Sequence, residues 1–358
     1  MRITIISLTL SALALLPFGA PLVPSPQATL ASSTFNQNPQ PQQTPVRPPA
    51  SSTTPPVTSN TSPQDVDETN RVTINIVRLP ITVIDKKDQP VPGLTAEDFV
   101  IFEDKKPQTI QSFNSDFERL PVYVGVLMDT SSSTAGKMKF SQEAAMNFIH
   151  TVVRLRKDRV AFVTFDDEIK LHQDFTDKLD MLDRAVYGIK KPGHHTALFD
   201  AVWQFCDEKM RGLAGARRAL VVITDGDDTY SRATLRDAID IAQRTETIVF
   251  AISTKAGFAG TVPGVEAGQV ADRGDRDLES LCEETGGKAF FTGDFIALER
   301  SFTKIAKELR SQYLITYRPT NNIYDGRKRK IEVKLAAKRD GLKVRTRDGY
   351  TAVNDTVR

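Results

Sequence analysis

The sequence predicts an α/β fold: a doubly wound, mainly parallel sheet, flanked by a small antiparallel β module built from the N- and C-terminal strands. Three observations predict it. Four continuous apolar runs, "VYVGVLMD" from Val122, "RVAFVTFDD" from Arg159, "RALVVITD" from Arg218 and "ETIVFAIS" from Glu246, have the character of strands buried on both faces. Helix-length amphipathic segments begin near Met138, Asp177, Ala197, Ala233, Asp275 and Phe295. Strand and helix in alternation pack as a parallel sheet covered on both sides. Before Asp116 and after Arg310 the chain changes to short β-branched runs of alternating polarity, the period of half-buried antiparallel strands.

Residues 1–31 open on "MRITIISLTLSALALLPFGA", with the basic start, apolar stretch and small residues of a secretory signal. Cleavage is expected after Ala31, in "ATLA". An uncleaved membrane anchor is the alternative, although the apolar stretch is shorter than the ~20 residues a spanning helix needs. No cysteine follows the stretch, which excludes lipoprotein processing. Residues 32–70 are rich in Pro, Gln, Ser and Thr, a composition that buries too little surface to offset ordering entropy. They read as an extended tether, or as a plain mature tail. Together these segments predict a protein that is secreted, periplasmic or held in the cell envelope.

Residues 71–116 supply the N-terminal strands of the β module, with turn signals at Lys87 to Gln89 and Asp104 to Pro107. Residues 117–310 hold the α/β segment. Residues 311–358 return to strands, "QYLITYRPT", "KRKIEVKLAA" and "GLKVRTRDGYTA", with turns at Tyr324 to Gly326 and Arg339 to Gly341. Neither strand set closes alone, so the two are expected to pack together around the inserted α/β segment. The 358 residues carry a net charge of +2, which gives no whole-molecule field selecting nucleic acid, membrane or an acidic polymer. Membrane contact is expected only through the signal or tether. The two cysteines, Cys206 and Cys282, lie far apart in helix-like runs; no disulfide framework follows, and a single bridge stays open.

In a doubly wound sheet, ligands sit at the carboxyl ends of the strands. The first apolar run ends at Asp129, followed by Ser131 and Ser133; the third ends at Asp225; and "PGHHTALFDA" puts Thr196 in a loop just before a helix. Three loops therefore bring hydroxyls and carboxylates to one sheet edge. Each hydroxyl alone is explained as a turn or cap residue, and the joint pattern is what suggests a metal. A hard divalent ion takes about six oxygens and keeps some waters.

These residues resemble the von Willebrand factor A domain. Asp129, Ser131 and Ser133 match its D-x-S-x-S motif, Thr196 its loop threonine and Asp225 its T-D-G aspartate, over about Pro121 to Leu309. The flanks "VIDKKDQPVPGLTAEDFVIFEDKKPQTIQSF" and "RTRDGYTA" look like those of the secreted acidobacterial von Willebrand factor A-related family. The resemblance implies a metal-ion-dependent adhesion site at the five residues, holding Mg²⁺ with Mn²⁺ or Ca²⁺ as alternatives. It also implies a non-enzymatic role, in which the ion binds an Asp or Glu side chain of a protein partner. A scaffold whose metal only braces the loops, with the β module making the contacts, is the main rival.

A hydrolase is the distant rival: Ser131, His194 or His195, and Asp225 carry the letters of a triad, but the G-x-S-x-G elbow is absent. Phosphotransfer through Asp129 lacks a second acid in its loop. The "RGD" at Arg273 to Asp275 reads as a helix start capped by Asp275. "DGRKRK", with Lys343, Arg345 and Arg347, reads as strand residues facing water, and Asp227 and Asp228 as loop solvation. The segment from Thr254 to Gly274, with Phe258, Val262 and Val265, is expected to add apolar contacts beside the ion.

Overall fold

The computed structural model describes residues 76–116, 120–154, 156–213, 215–255, 272–291, 295–337 and 341–353. The expected signal, the tether and most of the Thr254 to Gly274 segment lie outside them. The N-terminal strands are β1 (Val77–Ile84), β2 (Phe99–Glu103), β3 (Lys106–Gln108) and β4 (Ile110–Asn114). The α/β segment runs β5 (Val122–Asp129), α1 (Met138–Val152), β6 (Arg159–Phe165), β7 (Ile169–Thr176), α2 (Leu179–Tyr187), α3 (Leu198–Phe205), β8 (Arg217–Thr224), α4 (Leu235–Arg244), β9 (Thr247–Ser253), α5 (Arg273–Thr285), β10 (Ala289–Phe291) and α6 (Phe295–Arg310). The chain closes with β11 (Tyr313–Tyr317), β12 (Lys328–Leu335), β13 (Lys343–Arg345) and β14 (Gly349–Thr351).

The central sheet has the order β10-β9-β8-β5-β6-β7, parallel except for β7. On one face, Ala144, Phe148 and Ile149 of α1, Leu182 of α2 and Phe302 and Ile305 of α6 pack against Val124, Val126 and Phe162. On the other, α3, α4 and α5 bring Val202, Ile239 and Leu278 against Leu127, Leu220 and Val249. The four apolar runs are the four inner strands, as their pattern predicts. Strands β7 and β10 were not foreseen. The first is an edge strand whose "IKLHQDFT" faces apolar neighbours too sparsely to form a continuous run, and the second is three residues long.

Gly125 of β5 is required by this layering. A Cβ there would overlap the Phe205 ring and come within 2.7 Å of Leu220 Cδ1. Gly125→Ala is expected to lower stability by about 2 kcal/mol through overpacking, read as a lower urea midpoint at unchanged slope. An unchanged midpoint would show that α3 can move away.

The outer strands form two four-stranded antiparallel sheets, β13-β1-β11-β4 and β14-β12-β2-β3, each mixing N- and C-terminal strands. Leu79, Ile81, Phe99, Ile101, Tyr313, Ile315 and Tyr317 fill the core between them. The expected turns at Lys87 to Gln89 and Asp104 to Pro107 are present, with left-handed backbone at Asp88 (φ 55°) and Asp104 (φ 47°); the chain bends at Gly326 (φ 70°), and most of the turn expected at Arg339 to Gly341 lies outside the described residues.

Some surface expectations are corrected. Cys206 and Cys282 are free and buried, so they form no bridge, and desolvation pushes the Cys206 thiol up to about 12. The basic strand residues do not all face water. Arg329 is buried against Asp325, Arg345 is paired with the buried Glu308 of α6, and Arg347 donates to the carbonyls of Gln243 and Arg78. Guanidinium groups serve this seam because their fixed fork satisfies several acceptors at once.

Candidate metal centre

The sheet order reverses at β5. The chain leaves β5 through α1 to β6 on one side and reaches β8 on the other, so the carboxyl ends of β5 and β8 flank the topological switch point at which such sheets bind ligands. Asp129 is the last residue of β5, and Asp225 follows β8 directly. Asp129 Oδ1 accepts from Ser131 N at 2.8 Å, and Oδ2 accepts from Thr224 Oγ1 at 2.7 Å. The carboxylate is thereby aimed by the loop after β5 and by the end of β8. Ser131 Oγ and Ser133 Oγ lie 3.0 Å apart, and Thr134 Oγ1 holds the turn by donating to Ser131 O at 2.9 Å. Gly226 N donates to Thr224 Oγ1 at 3.0 Å, with Gly226 in the left-handed region at φ 86°.

The loop of Thr196 is tied to both other loops through its backbone. Gly193 N donates to Thr130 O at 2.8 Å, and Ser132 Oγ donates to His194 O at 2.9 Å. Thr196 N donates to Thr229 Oγ1, while Thr196 O accepts from Thr229 N and Tyr230 N, each at 3.0 Å. The Thr196 hydroxyl takes part in none of these bonds. Asp129, Ser131, Thr196 and Asp225 are buried, whereas Ser133 is exposed.

The donor set fits a divalent cation. Asp129 is only 1% exposed, and desolvation raises its carboxyl to about 6. Hydrogen bonds from Ser131 and Thr224 oppose that rise, and the nearby charge of Asp225 adds to it. Among the described residues, the Asp225 carboxylate receives only a long 3.5 Å contact from Asp227 N, and no lysine or arginine pairs with either acid. Two buried like charges beside uncharged hydroxyl oxygens are the arrangement that a cation relieves. No cluster of three His, Cys, Asp or Glu suited to a metal occurs among the described residues, so the set is neither carboxylate-rich nor of zinc type.

Neighbouring groups are placed differently from expectation. Asp228 accepts from Leu198 N at 2.9 Å and from Ser231 Oγ, so it caps α3 rather than solvating the loop. Asp227 is ion-paired with Lys255. His195 Nδ1 bonds Asp167, and its ring stacks on Tyr230 with centroids 5.0 Å apart. The Ser131 hydroxyl meets Ser133, and among the described residues no serine hydroxyl bonds a histidine ring. The first turn of α5 holds the "RGD" letters, but its cap is Asp272, and Gly274 and Asp275 are buried, closed to an outside receptor. Thr224, Thr134 and Lys255 were missed, because their contacts form only once the strands lie side by side and the loops close.

No curated protein sequence matches the chain. Among solved structures, an aerotolerance-related membrane protein of Bacteroides fragilis is similar at 17% identity and TM-score 0.41, covering 52% of this chain and 98% of its own. The von Willebrand domain of a type V pilus tip protein of Porphyromonas gingivalis is similar at 20% identity and TM-score 0.29, covering 31% and 39%. Proximal thread matrix protein 1 of the mussel byssus is similar at 15% identity and TM-score 0.44, covering 58% and 51%. Residues 124–304 match the model of the von Willebrand factor type A domain, from within β5 into α6. With half of its length so matched, and with the strand order described, the chain belongs to the von Willebrand factor type A domain family.

Proposed function

We propose that this is an exported binding protein that uses a divalent ion, held by Asp129, Ser131, Ser133, Thr196 and Asp225, to grip an Asp or Glu side chain of a protein partner. The buried Asp129–Asp225 pair, with no cation beside it among the described residues, carries the reading. Mg²⁺ suits the set best, with Mn²⁺ or Ca²⁺ as alternatives. When bound, the ion supplies an electrophilic coordination position that an incoming carboxylate completes. The hydroxyls of Ser131, Ser133 and Thr196 add oxygen without charge, so they do not repel that carboxylate. Thr224 and Ser131 N orient Asp129. Residues 1–31 serve as export signal, 32–70 as tether, and 71–116 with 311–358 as one β module around the inserted segment 117–310. No helix among the described residues is long and apolar enough to cross a membrane.

Metal binding to the native state alone raises the melting temperature, by the equivalent of about 2.7 kcal/mol at a hundredfold excess over Kd. Mg²⁺ is expected to stabilise the parent but not Asp129→Ala, and equal shifts in the two would overturn the assignment. Affinity capture from envelope extract is expected with Mg²⁺ and not with chelator. Capture that ignores the chelator would favour the scaffold, with contacts made by the β module.

A further inference from the structure

Asp227 lies two residues beyond Asp225, near enough for its N–H to approach the Asp225 carboxylate at 3.5 Å. It is the nearest acid in sequence to the proposed ligands, yet its carboxylate is taken by another group. Lys255 Nζ meets Asp227 Oδ1 at 2.9 Å and Asp272 Oδ2 at 2.6 Å. The lysine is well anchored. It follows β9 by two residues, the preceding Thr254 N donates to Thr224 O at 2.8 Å, and its side chain is 22% exposed. Burial works to lower the Lys255 pKa, but the hydrogen bonds to Asp227 and Asp272 outweigh it and leave it raised, so the ammonium is charged at neutral pH.

The acids are also fixed from behind. Asp272 caps α5 by accepting from Asp275 N at 3.1 Å. Gly274, in the first turn of α5, backs onto the Asp225 loop: a Cβ there would lie 2.5 Å from Asp227 Oδ1 and 2.7 Å from Gly226 O. Asp227 is thus held between a helix turn and an ammonium.

We infer that Lys255 is a selectivity-determining residue of the metal site, withholding Asp227 so that only two carboxylates face the ion. The inference rests on the metal reading above. Ca²⁺ accepts a larger oxygen shell and gains from each added carboxylate, whereas Mg²⁺ demands a tight octahedron and keeps waters. A third acid at the rim would therefore favour Ca²⁺. It would also repel an acidic partner.

The test is calorimetric measurement of Mg²⁺ and Ca²⁺ dissociation constants for the parent, Lys255→Met, Lys255→Arg and the double variant Lys255→Met with Asp227→Asn. Relative to the parent, Lys255→Met is expected to shift the affinity ratio toward Ca²⁺ by about tenfold. Lys255→Arg and the double variant are expected to keep the parental ratio. Lys255→Gln gives the same measurement if the methionine variant does not fold. An unchanged ratio in Lys255→Met, or a shifted ratio that persists in the double variant, would overturn the role of Lys255 while leaving the metal site standing. Absence of metal binding in the parent would overturn both.

Discussion

Asp129→Asn is expected to make the metal-free protein more stable near neutral pH, by on the order of 3 kcal/mol, while abolishing its response to Mg²⁺. Asp129 is almost fully buried, and desolvation raises its carboxyl from 3.8 to about 6. One pKa unit corresponds to 1.36 kcal/mol between the two protonation states. Because the folded-state pKa is the higher one, the native state holds the proton longer than the unfolded chain does. The cost is absent below 3.8, grows as pH rises toward 6 and is complete above that. Metal-free parent protein should therefore lose stability over that window, and Asp129→Asn should not. Asparagine keeps an acceptor for Ser131 N, and the Thr224 hydroxyl can turn to accept from its amide. Denaturant melts in chelator across the window check this. A variant no more stable than the parent above pH 6 would refute the account.

Deleting residues 311–358 is expected to unfold the outer strands and drive the remaining chain to aggregate. The deletion removes β11 from between β1 and β4, and β12 from between β14 and β2. Strand β1 loses both neighbours, β4 loses its only one, and β2 keeps only β3. Leu79, Ile81, Phe99 and Ile101 lose their cover, and Phe113 loses the Tyr313 ring stacked 5.6 Å away. At about 1.5–3 kcal/mol for each large apolar side chain, the loss is comparable with the whole stability of a domain. The bared strand edges then offer templates for pairing between chains. Size-exclusion chromatography and a thermal melt decide the matter: a truncated monomer melting like the parent would mean that the N-terminal strands stand alone.

The loops of the candidate site were readable because strand ends are readable. A continuous apolar run terminating in Asp129, another ending just before Asp225 and a Gly-flanked loop carrying Thr196 mark three loops on one edge. The side chains that set the behaviour of those acids were not readable. Thr224 resembles any strand threonine until β5 and β8 are laid side by side, when its hydroxyl meets Asp129. Lys255 and Asp227 are 28 residues apart, and only the parallel stacking of β8 and β9 brings their loops together.

Charged groups show the limit most clearly. The outer arginines follow a strand pattern that suits a wet face, yet Arg347 is buried against carbonyls of Gln243 and Arg78, 104 and 269 residues away in sequence. By itself the sequence determined the alternation of strand and helix, the turns and the strand ends that carry the candidate ligands. Each of these depends on local periodicity or on the φ a residue tolerates. The tertiary structure alone decided which strands share a sheet, which acids stay unpaired and which cations turn inward. The energy of a buried charge is set by neighbours that folding brings from distant parts of the chain.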